Sequence, residues 1–128
     1  MTGRVLVVWI PGPVKSVMRG AHGHWQAKAG ARKAQREKTK WFVLTEITRE
    51  SWSCRASDPK RITFVASVHN LMDDDNLRAA LKATRDGLRD AGIIDDDSPR
   101  SGHRFEYVQE IDRKRPGVMV RVERAEGG

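Results

Sequence analysis

The sequence predicts a single small α+β domain, in which a mixed sheet of about four strands packs against two main helices. Three observations lead to this class. The chain has 128 residues, the length of one ordinary domain. Its apolar patterns follow the order strand, helix, strand, helix, strand, strand. No internal repeat or long low-complexity tract divides it, so residues 1–128 are expected to form one domain.

The first half of the chain predicts one strand and one long helix. Val5 to Trp9 is a short apolar run closed by prolines, which is typical of a buried strand. From Trp25 to Glu50 only Gly30 interrupts a composition that favours a helix. Basic residues recur along this helix at roughly four-residue spacing, at Lys28, Arg32, Lys33, Arg36 and Lys40. The row is either a solvated face or a surface that contacts phosphate groups.

The second half predicts a helix between strands. Residues 61–69 alternate apolar and polar side chains, as a half-buried strand does. A helix is expected from about Asn76 to Ala91, because Gly92 is a common signal for a helix C-terminus. Two further strands are expected over 104–111 and 118–122, joined by a basic turn.

The charge of the chain narrows the class of partner. It carries 24 Lys and Arg residues against 17 Asp and Glu residues, a formal net charge of +7, which favours an anionic partner and nucleic acid first. The single cysteine, Cys54, predicts a reducing compartment. Neither a membrane-length apolar run nor a signal-peptide core is present, so we expect a cytoplasmic protein without a membrane partner.

Two acidic clusters stand out in this basic chain, Asp73–Asp75 before the second helix and Asp95–Asp97 after it. Grouped carboxylates repel one another unless a cation lies between them, and Mg²⁺ prefers one or two carboxylates with waters and phosphate oxygens. The helix between the clusters carries a basic stripe that includes Arg78 and Lys82. A metal-dependent phosphodiesterase needs such a combination. The alternative is that the carboxylates cap the helix and pair with its basic residues.

The segment DDDNLRAALKATRDGLRDAGIIDDD, residues 73–97, resembles the signature of the RusA family of Holliday-junction resolvases. That pattern is Asp-x-Asp-Asn-Leu, a helix with a Lys and an Asp-x-Leu, a Gly, and then an Asp pair. The WIPGP that follows the first strand and the His24-Trp25 pair before the basic helix are similar to other parts of the family pattern. The resemblance implies a homodimeric, Mg²⁺-dependent endodeoxyribonuclease, with Mn²⁺ as the alternative ion. Such an enzyme resolves four-way DNA junctions by paired symmetric nicks, a metal-activated water attacking the phosphodiester.

The resemblance also implies roles for individual residues. Asp73 and Asp75 match the first two aspartates and would bind metal, together with Asp97 and its neighbour Asp96. Asp73, Asp75, Asp97 and Lys82 would be the catalytic residues. Branched DNA would be held by basic side chains of the first helix, the proline-rich loop and the second helix, namely Lys28, Arg32, Lys33, Arg36, Lys40, Lys15, Arg19 and Arg78.

Some alternatives stay open on the sequence. Counting forward from Asn76 puts the family lysine at Ala79, whereas counting back from Asp86 puts it at Lys82, because this helix is three residues longer than the family pattern. Asp95 allows the aspartate pair to shift by one residue. The loop after the prolines reads VKSVMRG where the family has Ser-Asn.

The neighbouring histidines and the function class are open as well. His69 and His103, which flank the acidic region, are expected to be surface residues or to make turn hydrogen bonds, with metal binding as the alternative. A nuclease of this kind could also cut flaps or forks. A protein from another class, a non-catalytic DNA-binding or assembly protein, would have the same charge pattern.

Overall fold

The computed structural model describes residues 5–14 and 25–125, with side chains from Gly30 onward in the second range. It has a four-stranded mixed sheet with helices on one face, which confirms the predicted fold class. The strands are β1 (Leu6–Pro11), β2 (Lys60–Val68), β3 (Arg104–Ile111) and β4 (Gly117–Arg124), and the helices are α1 (Trp25–Glu50), α2 (Asp74–Ala80) and α3 (Lys82–Asp90). Within the described ranges, no helix combines the length and the apolar composition needed to cross a bilayer.

The strands lie in the order β1-β4-β2-β3. β4 pairs antiparallel with both β1 and β2, whereas β2 pairs parallel with β3 over eight residues, from Arg61 opposite Arg104 to Val68 opposite Ile111. Antiparallel neighbours can be joined by a short turn, but parallel strands need a crossover. The crossover from β2 to β3 contains α2 and α3, and it therefore contains the whole 73–97 segment.

One face of the sheet forms the core with the helices. Each interior strand alternates as expected, and the residues that point inward are buried, among them Ile62, Phe64, Ala66 and Val68 of β2. The helices contribute an apolar stripe to the same cluster, from Val43 of α1, Leu77 of α2, Leu88 of α3 and Leu81 between α2 and α3. Fully burying a side chain of this size stabilises the fold by about 1.5–3 kcal/mol.

The predicted helix over Asn76 to Ala91 is divided into two. Leu81 has φ −99° and ψ 3° and separates α2 from α3, although Leu81 N–H still donates to Leu77 O and Arg85 N–H to Leu81 O. The predicted stop at Gly92 is confirmed, since this residue has φ +83° and the N–H of Ile93 donates to Leu88 O. This is a Schellman motif, in which glycine is favoured because it adopts positive φ without a steric penalty.

Helices α1 and α3 are in close contact where they cross at Gly87. A Cβ atom added at Gly87 would lie 2.6 Å from Thr39 Cβ and 2.8 Å from the carbonyl oxygen of Arg36. Gln35 Nε2 donates to Thr84 Oγ1 (3.2 Å) beside this contact. The missing side chain at Gly87 thus sets how closely α3 lies against α1.

We predict that Gly87→Ala lowers the free energy of unfolding by about 1–3 kcal/mol, because the new methyl group overpacks the helix contact. Gly30→Ala is the matched control, since nothing lies within 4 Å of its Cβ position in α1. It should stabilise the protein by up to about 1 kcal/mol through helix propensity. Urea unfolding of both variants measures the two effects, and equal behaviour would show that the contact at Gly87 is not tight.

Candidate functional site

The first acidic cluster forms the beginning of α2. Asp73 is the N-cap, with φ −71° and ψ 166°, and its Oδ1 accepts a hydrogen bond from Asn76 N–H (2.9 Å). Asp74 and Asp75 are exposed in the first turn of the helix, where carboxylates complement the helix dipole. Asp73 therefore has the helix-capping role that was the alternative to metal binding. Asp75 does not cap the helix and is exposed to solvent.

A glutamine on β3 holds the junction that leads from β2 into α2. Gln109 Oε1 accepts from Met72 N–H (2.9 Å), and Gln109 Nε2 donates to Met72 O (2.6 Å). Gln109 is not among the predicted site residues, because a polar residue near the end of a strand carries no signal for a partner 37 positions away. The clamp fixes the backbone immediately before Asp73.

An open pocket of about 400 Å³ lies at this junction. Its lining combines the two polar residues of the α2 N-terminus with the loop that follows β2, and consists of Val14, His69, Asn70, Leu71, Met72, Asp73 and Asn76. It is large enough for a phosphate group with bound water. Asp73 and Asn76 both line its wall.

The second acidic cluster meets the basic stripe of α3. After Gly92 the buried side chains of Ile93 and Ile94 anchor the chain to the core, and Asp97 then reaches Lys82. Asp97 Oδ2 lies 3.0 Å from Lys82 Nζ, a hydrogen bond, and 3.1 Å from Arg85 Nε, which is not directed well enough for one. Two of the residues assigned to catalysis, Lys82 inside the motif and Asp97 at its end, are thus in direct contact.

This contact sets the protonation states at the site. The hydrogen bond from Lys82 holds the pKa of Asp97 below its usual value. The pKa of Lys82 is raised, first by its hydrogen bond to Asp86 (2.9 Å) and also by Asp97. At neutral pH Asp97 is therefore a carboxylate and Lys82 a cation, so Lys82 can stabilise negative charge but cannot serve as a general base.

The other two aspartates of the second cluster have local partners. Asp96 accepts from Ser98 N–H (3.2 Å) and from Ser98 Oγ (2.6 Å), and this hydroxyl contact lowers the pKa of Asp96. Asp95 Oδ1 lies 2.9 Å from Nε2 of His103, which lowers the pKa of Asp95. The sequence left open which two of Asp95, Asp96 and Asp97 form the family's aspartate pair. In the structure Asp97 contacts Lys82, whereas Asp95 and Asp96 contact other residues.

His103 anchors the loop that carries these aspartates. Its side chain is fully buried, and its Nδ1 accepts from Lys60 N–H (3.2 Å), so Nε2 carries the proton that is donated to Asp95. His103 thus makes hydrogen bonds, as one of the two expectations held, but it is a buried residue and not a surface one. The buried Lys60 side chain in turn donates to the carbonyl oxygens of Arg55, Ala56 and Asp58, and burial lowers its pKa.

A preformed cluster of metal ligands is not present in the described part of the chain, where no three His, Cys, Asp or Glu side chains gather closely enough to hold an ion. Two carboxylates nevertheless suit Mg²⁺, which completes its shell with water and phosphate oxygens. Asp73 lines the open pocket, and Asp75 is exposed in the first turn of α2, so each could supply a carboxylate oxygen. The residues present therefore fit Mg²⁺, without forming a closed cage for it.

The basic residues predicted to contact DNA fall into two groups. Arg32 and Lys33 are exposed on α1, whereas Lys40 stacks on Trp41 and Arg78 on Tyr107, with 5.4 and 5.5 Å to the ring centroids. Arg36 is held by Asp90 of α3 through two hydrogen bonds, one of them Nη2 to Oδ1 at 2.8 Å. Lys15, Arg19 and the side chain of Lys28 lie outside the described residues. Arg36 thus contributes first to helix packing.

Arg85, which is not among the residues predicted to contact DNA, also has structural partners. Arg85 Nη1 donates to the Tyr107 hydroxyl (2.8 Å), and its guanidinium lies 5.3 Å from the Phe105 ring centroid. α3 is therefore tied to β3 next to Asp97. Only the parallel pairing of β2 and β3 brings these aromatic residues under the helix.

We predict that Asp90→Asn lowers the free energy of unfolding by about 0.5 kcal/mol near neutral pH, the usual worth of a partly exposed ion pair. The guanidinium of Arg36 holds the pKa of Asp90 below 3.8. The stabilisation is complete above the unfolded-state pKa and is lost as the pH falls through the folded-state pKa. Urea unfolding from about pH 7 down to about pH 3 should show the difference between variant and wild type shrinking.

Glu46→Gln is the control, because Glu46 pairs with Arg49 across one exposed helical turn. This substitution should change the unfolding free energy by less than about 0.5 kcal/mol at every pH. If the Asp90→Asn effect stayed constant with pH, the stabilisation would come from packing of the side chain and not from its charge.

Comparison with known proteins leaves the site to be interpreted from its own residues. Models of protein families, scanned against the chain, find no match, and a search of curated proteins finds no significant match. The chemistry of the site therefore rests on residues 73–97 and on the contacts they make.

Proposed function

We propose that the protein is a Mg²⁺-dependent endodeoxyribonuclease of the RusA type that resolves four-way DNA junctions by paired nicking. The observation that carries the proposal is the contact between Lys82, inside the RusA-like segment, and Asp97, at its end, which lie 3.0 Å apart. Both are ionised at neutral pH, Lys82 as the first residue of α3 and Asp97 in the segment that follows α3. A phosphodiesterase needs this pairing of carboxylates with a nearby cation.

In the proposed mechanism Asp73 and Asp75 would hold Mg²⁺ at the N-terminus of α2. Asp97 and its neighbour Asp96 would contribute further carboxylates on binding of the ion and DNA, since the four side chains are not gathered into one cluster in the structure. When bound, the ion would neutralise phosphate charge and activate the attacking water. The Asp73 carboxylate keeps its cap on Asn76 N–H, which fixes its orientation toward the pocket. Mn²⁺ has similar ligand preferences and is the alternative ion.

Lys82 would stabilise the negative charge that develops on the phosphate in the transition state. In the structure its ammonium donates to Asp86 and Asp97, so it is held on the surface beside the acidic site and 47% of its side chain is exposed. A bound phosphate oxygen can replace one of these carboxylates without moving the backbone. Ala79, the other position considered for this lysine, carries no charge and has no such role.

The DNA would be held by the surface cations near this site. Arg32 and Lys33 are exposed on α1, and Arg78 projects from α2 over Tyr107. We include Lys15, Arg19, Lys28, Arg36 and Lys40 in the proposed surface on the charge pattern, Arg36 through the side of its guanidinium that Asp90 leaves free. A homodimer suits a near-symmetric junction, and the cytoplasm of a bacterial or phage-infected cell is the proposed location.

A second function, non-catalytic DNA binding, is favoured by a specific observation. Asp73 caps a helix, Asp97 neutralises Lys82 and Arg85, and the described residues contain no preformed three-ligand cluster. Such a protein would bind branched DNA without cutting it. Cleavage of flaps or forks is a third possibility that shares the proposed chemistry.

We predict that the wild-type protein nicks an end-labelled four-way junction symmetrically with Mg²⁺ and leaves a linear duplex intact. EDTA should abolish cutting, and Asp75→Asn should slow it by about 100-fold or more, because a metal-binding carboxylate is lost. Asp74→Asn is the matched control, since Asp74 is exposed on the same turn and has no assigned role. Tight junction binding without cutting would instead support the non-catalytic DNA-binding protein. Faster cutting of flaps or forks than of four-way junctions would support a nuclease for those substrates.

We further predict that Lys82→Met slows cleavage by about 100-fold while changing junction affinity by less than about threefold. The ammonium acts on charge that forms only in the transition state. Arg89→Met, an exposed cation on the same helix, is the control and should retain full cleavage. Single-turnover rates and junction binding in EDTA separate the two quantities. Equal losses in both variants would mean that Lys82 only adds positive charge.

A further inference from the structure

The turn between β3 and β4 crosses the end of β2, where the chain leads to the first acidic cluster. β2 lies between these two strands in the sheet, so their connection passes over its C-terminal end. The N–H of Asp112 donates to the carbonyl oxygen of Val68, the last residue of β2 (3.0 Å). His69, the next residue, lines the pocket that also contains Asp73. We call residues 112–116 the basic turn, because it contains Arg113, Lys114 and Arg115.

Hydrogen bonds fix the backbone of the basic turn at both ends. Asp112 Oδ1 accepts from the N–H groups of Lys114 and Arg115, each at 3.1 Å. At the other end the carbonyl oxygen of Pro116 accepts from Gly12 N–H (3.1 Å). The turn therefore presents its side chains from a defined backbone, and the carboxylate of Asp112 is used by main-chain N–H groups.

The three cations of the basic turn have no acidic partner among the described residues. All three side chains are exposed, and none of them forms an ion pair with a carboxylate of the described ranges. Other cations of the chain are neutralised, for example Arg36 by Asp90 and Arg61 by Glu106. Neighbouring like charges without a counter-charge repel one another, so this turn favours an anionic ligand.

Arg115 is also oriented by an aromatic ring. Its guanidinium stacks on Trp9, 4.6 Å from the ring centroid. The ring lies over Gly117, where an added Cβ would be 2.5 Å from Trp9 Cζ2, so this glycine leaves the space that the ring occupies. Stacking uses the flat face of a guanidinium and leaves its N–H edges available for two parallel hydrogen bonds to a phosphate.

We propose that the basic turn binds the sugar-phosphate backbone of DNA beside the pocket at Asp73. The cations assigned from the sequence lie on α1, α2 and the proline-rich loop, so the turn is a separate contact surface at the end of the sheet. It is joined to α1 through β1, since Lys38 donates to the carbonyl oxygen of Pro11 and Gly12 is bonded to Pro116. The inference rests on the proposed function only in that the ligand is DNA, and it does not require cleavage.

A phosphate bound in the pocket explains why DNA fits better here than an acidic protein. The phosphates next to it on the same strand would pass over the end of β2, where the turn offers three cations in sequence. Each cation that contacts a phosphate displaces about one counterion from the DNA, and the salt dependence of binding counts these contacts.

Binding of a four-way junction in EDTA, measured from about 50 to about 300 mM salt, tests the proposal without interference from cutting. The double substitution Arg113→Gln/Lys114→Gln should reduce the slope of log affinity against log salt by about 2, and weaken binding by about 10-fold near 100 mM salt, because two phosphate contacts are lost. Both side chains are exposed, so the variant should fold normally, which circular dichroism checks.

Arg55→Gln/Arg104→Gln is the matched control. It removes the same charge from two exposed arginines at the opposite end of the sheet, where β2 and β3 begin. Its slope should stay within about 0.5 of wild type and its affinity within about threefold. A turn variant that binds like wild type, or two double variants with equal losses, would overturn the inference.

Single-turnover cleavage with Mg²⁺ separates this inference from the proposed function. If the wild type binds the junction without cutting it and the turn variant has the smaller slope, the contact is supported and the nuclease is not. If the wild type cuts and the turn variant keeps the full slope, the nuclease stands and the contact is wrong. A wild type that does not bind the junction would overturn both.

Discussion

The parallel pairing of β2 with β3 is the constraint on which the rest of the structure depends. Eight residue pairs hold these strands together, and parallel strands must be joined by a crossover that returns the chain to the same end of the sheet. Here the crossover is α2 and α3, with the acidic clusters at its two ends. Because the crossover lies on the face that also receives α1, the apolar stripe of α2 and α3 is buried and its basic stripe stays at the surface, next to Asp97.

A set of long-range polar contacts then orients the two ends of the crossover. Gln109 holds the backbone before Asp73, and His103 holds Asp95 while it accepts from Lys60 N–H. In both cases the partner lies on β3 or immediately before it. The strand that completes the parallel pair therefore also fixes the approach to each acidic cluster, which is how a small domain of modest core presents carboxylates in a defined arrangement.

The two sides of the sheet differ in charge as well as in packing. The helical side carries exposed cations such as Arg32, Lys33 and Lys82, while the face of the sheet that points away from the helices carries paired arginines and glutamates around an apolar row. The exposed cations of the helices and the paired charges of the strands therefore lie on opposite sides of the sheet.

Local patterns in the sequence determined the order of the elements, the exact span of α1 and β3, the inward face of β2 and the stop at Gly92, because periodicity and helix capping act over a few residues. They also singled out Lys82 and Asp97, on the spacing of a family pattern. Only the tertiary structure decided that these two side chains touch, that Arg36 is held by Asp90, and that Gln109 and His103 are the supports of the acidic clusters. The physical reason is distance along the chain. Each of these contacts joins different elements, and it exists only once the sheet order and the close helix approach at Gly87 have brought those elements together.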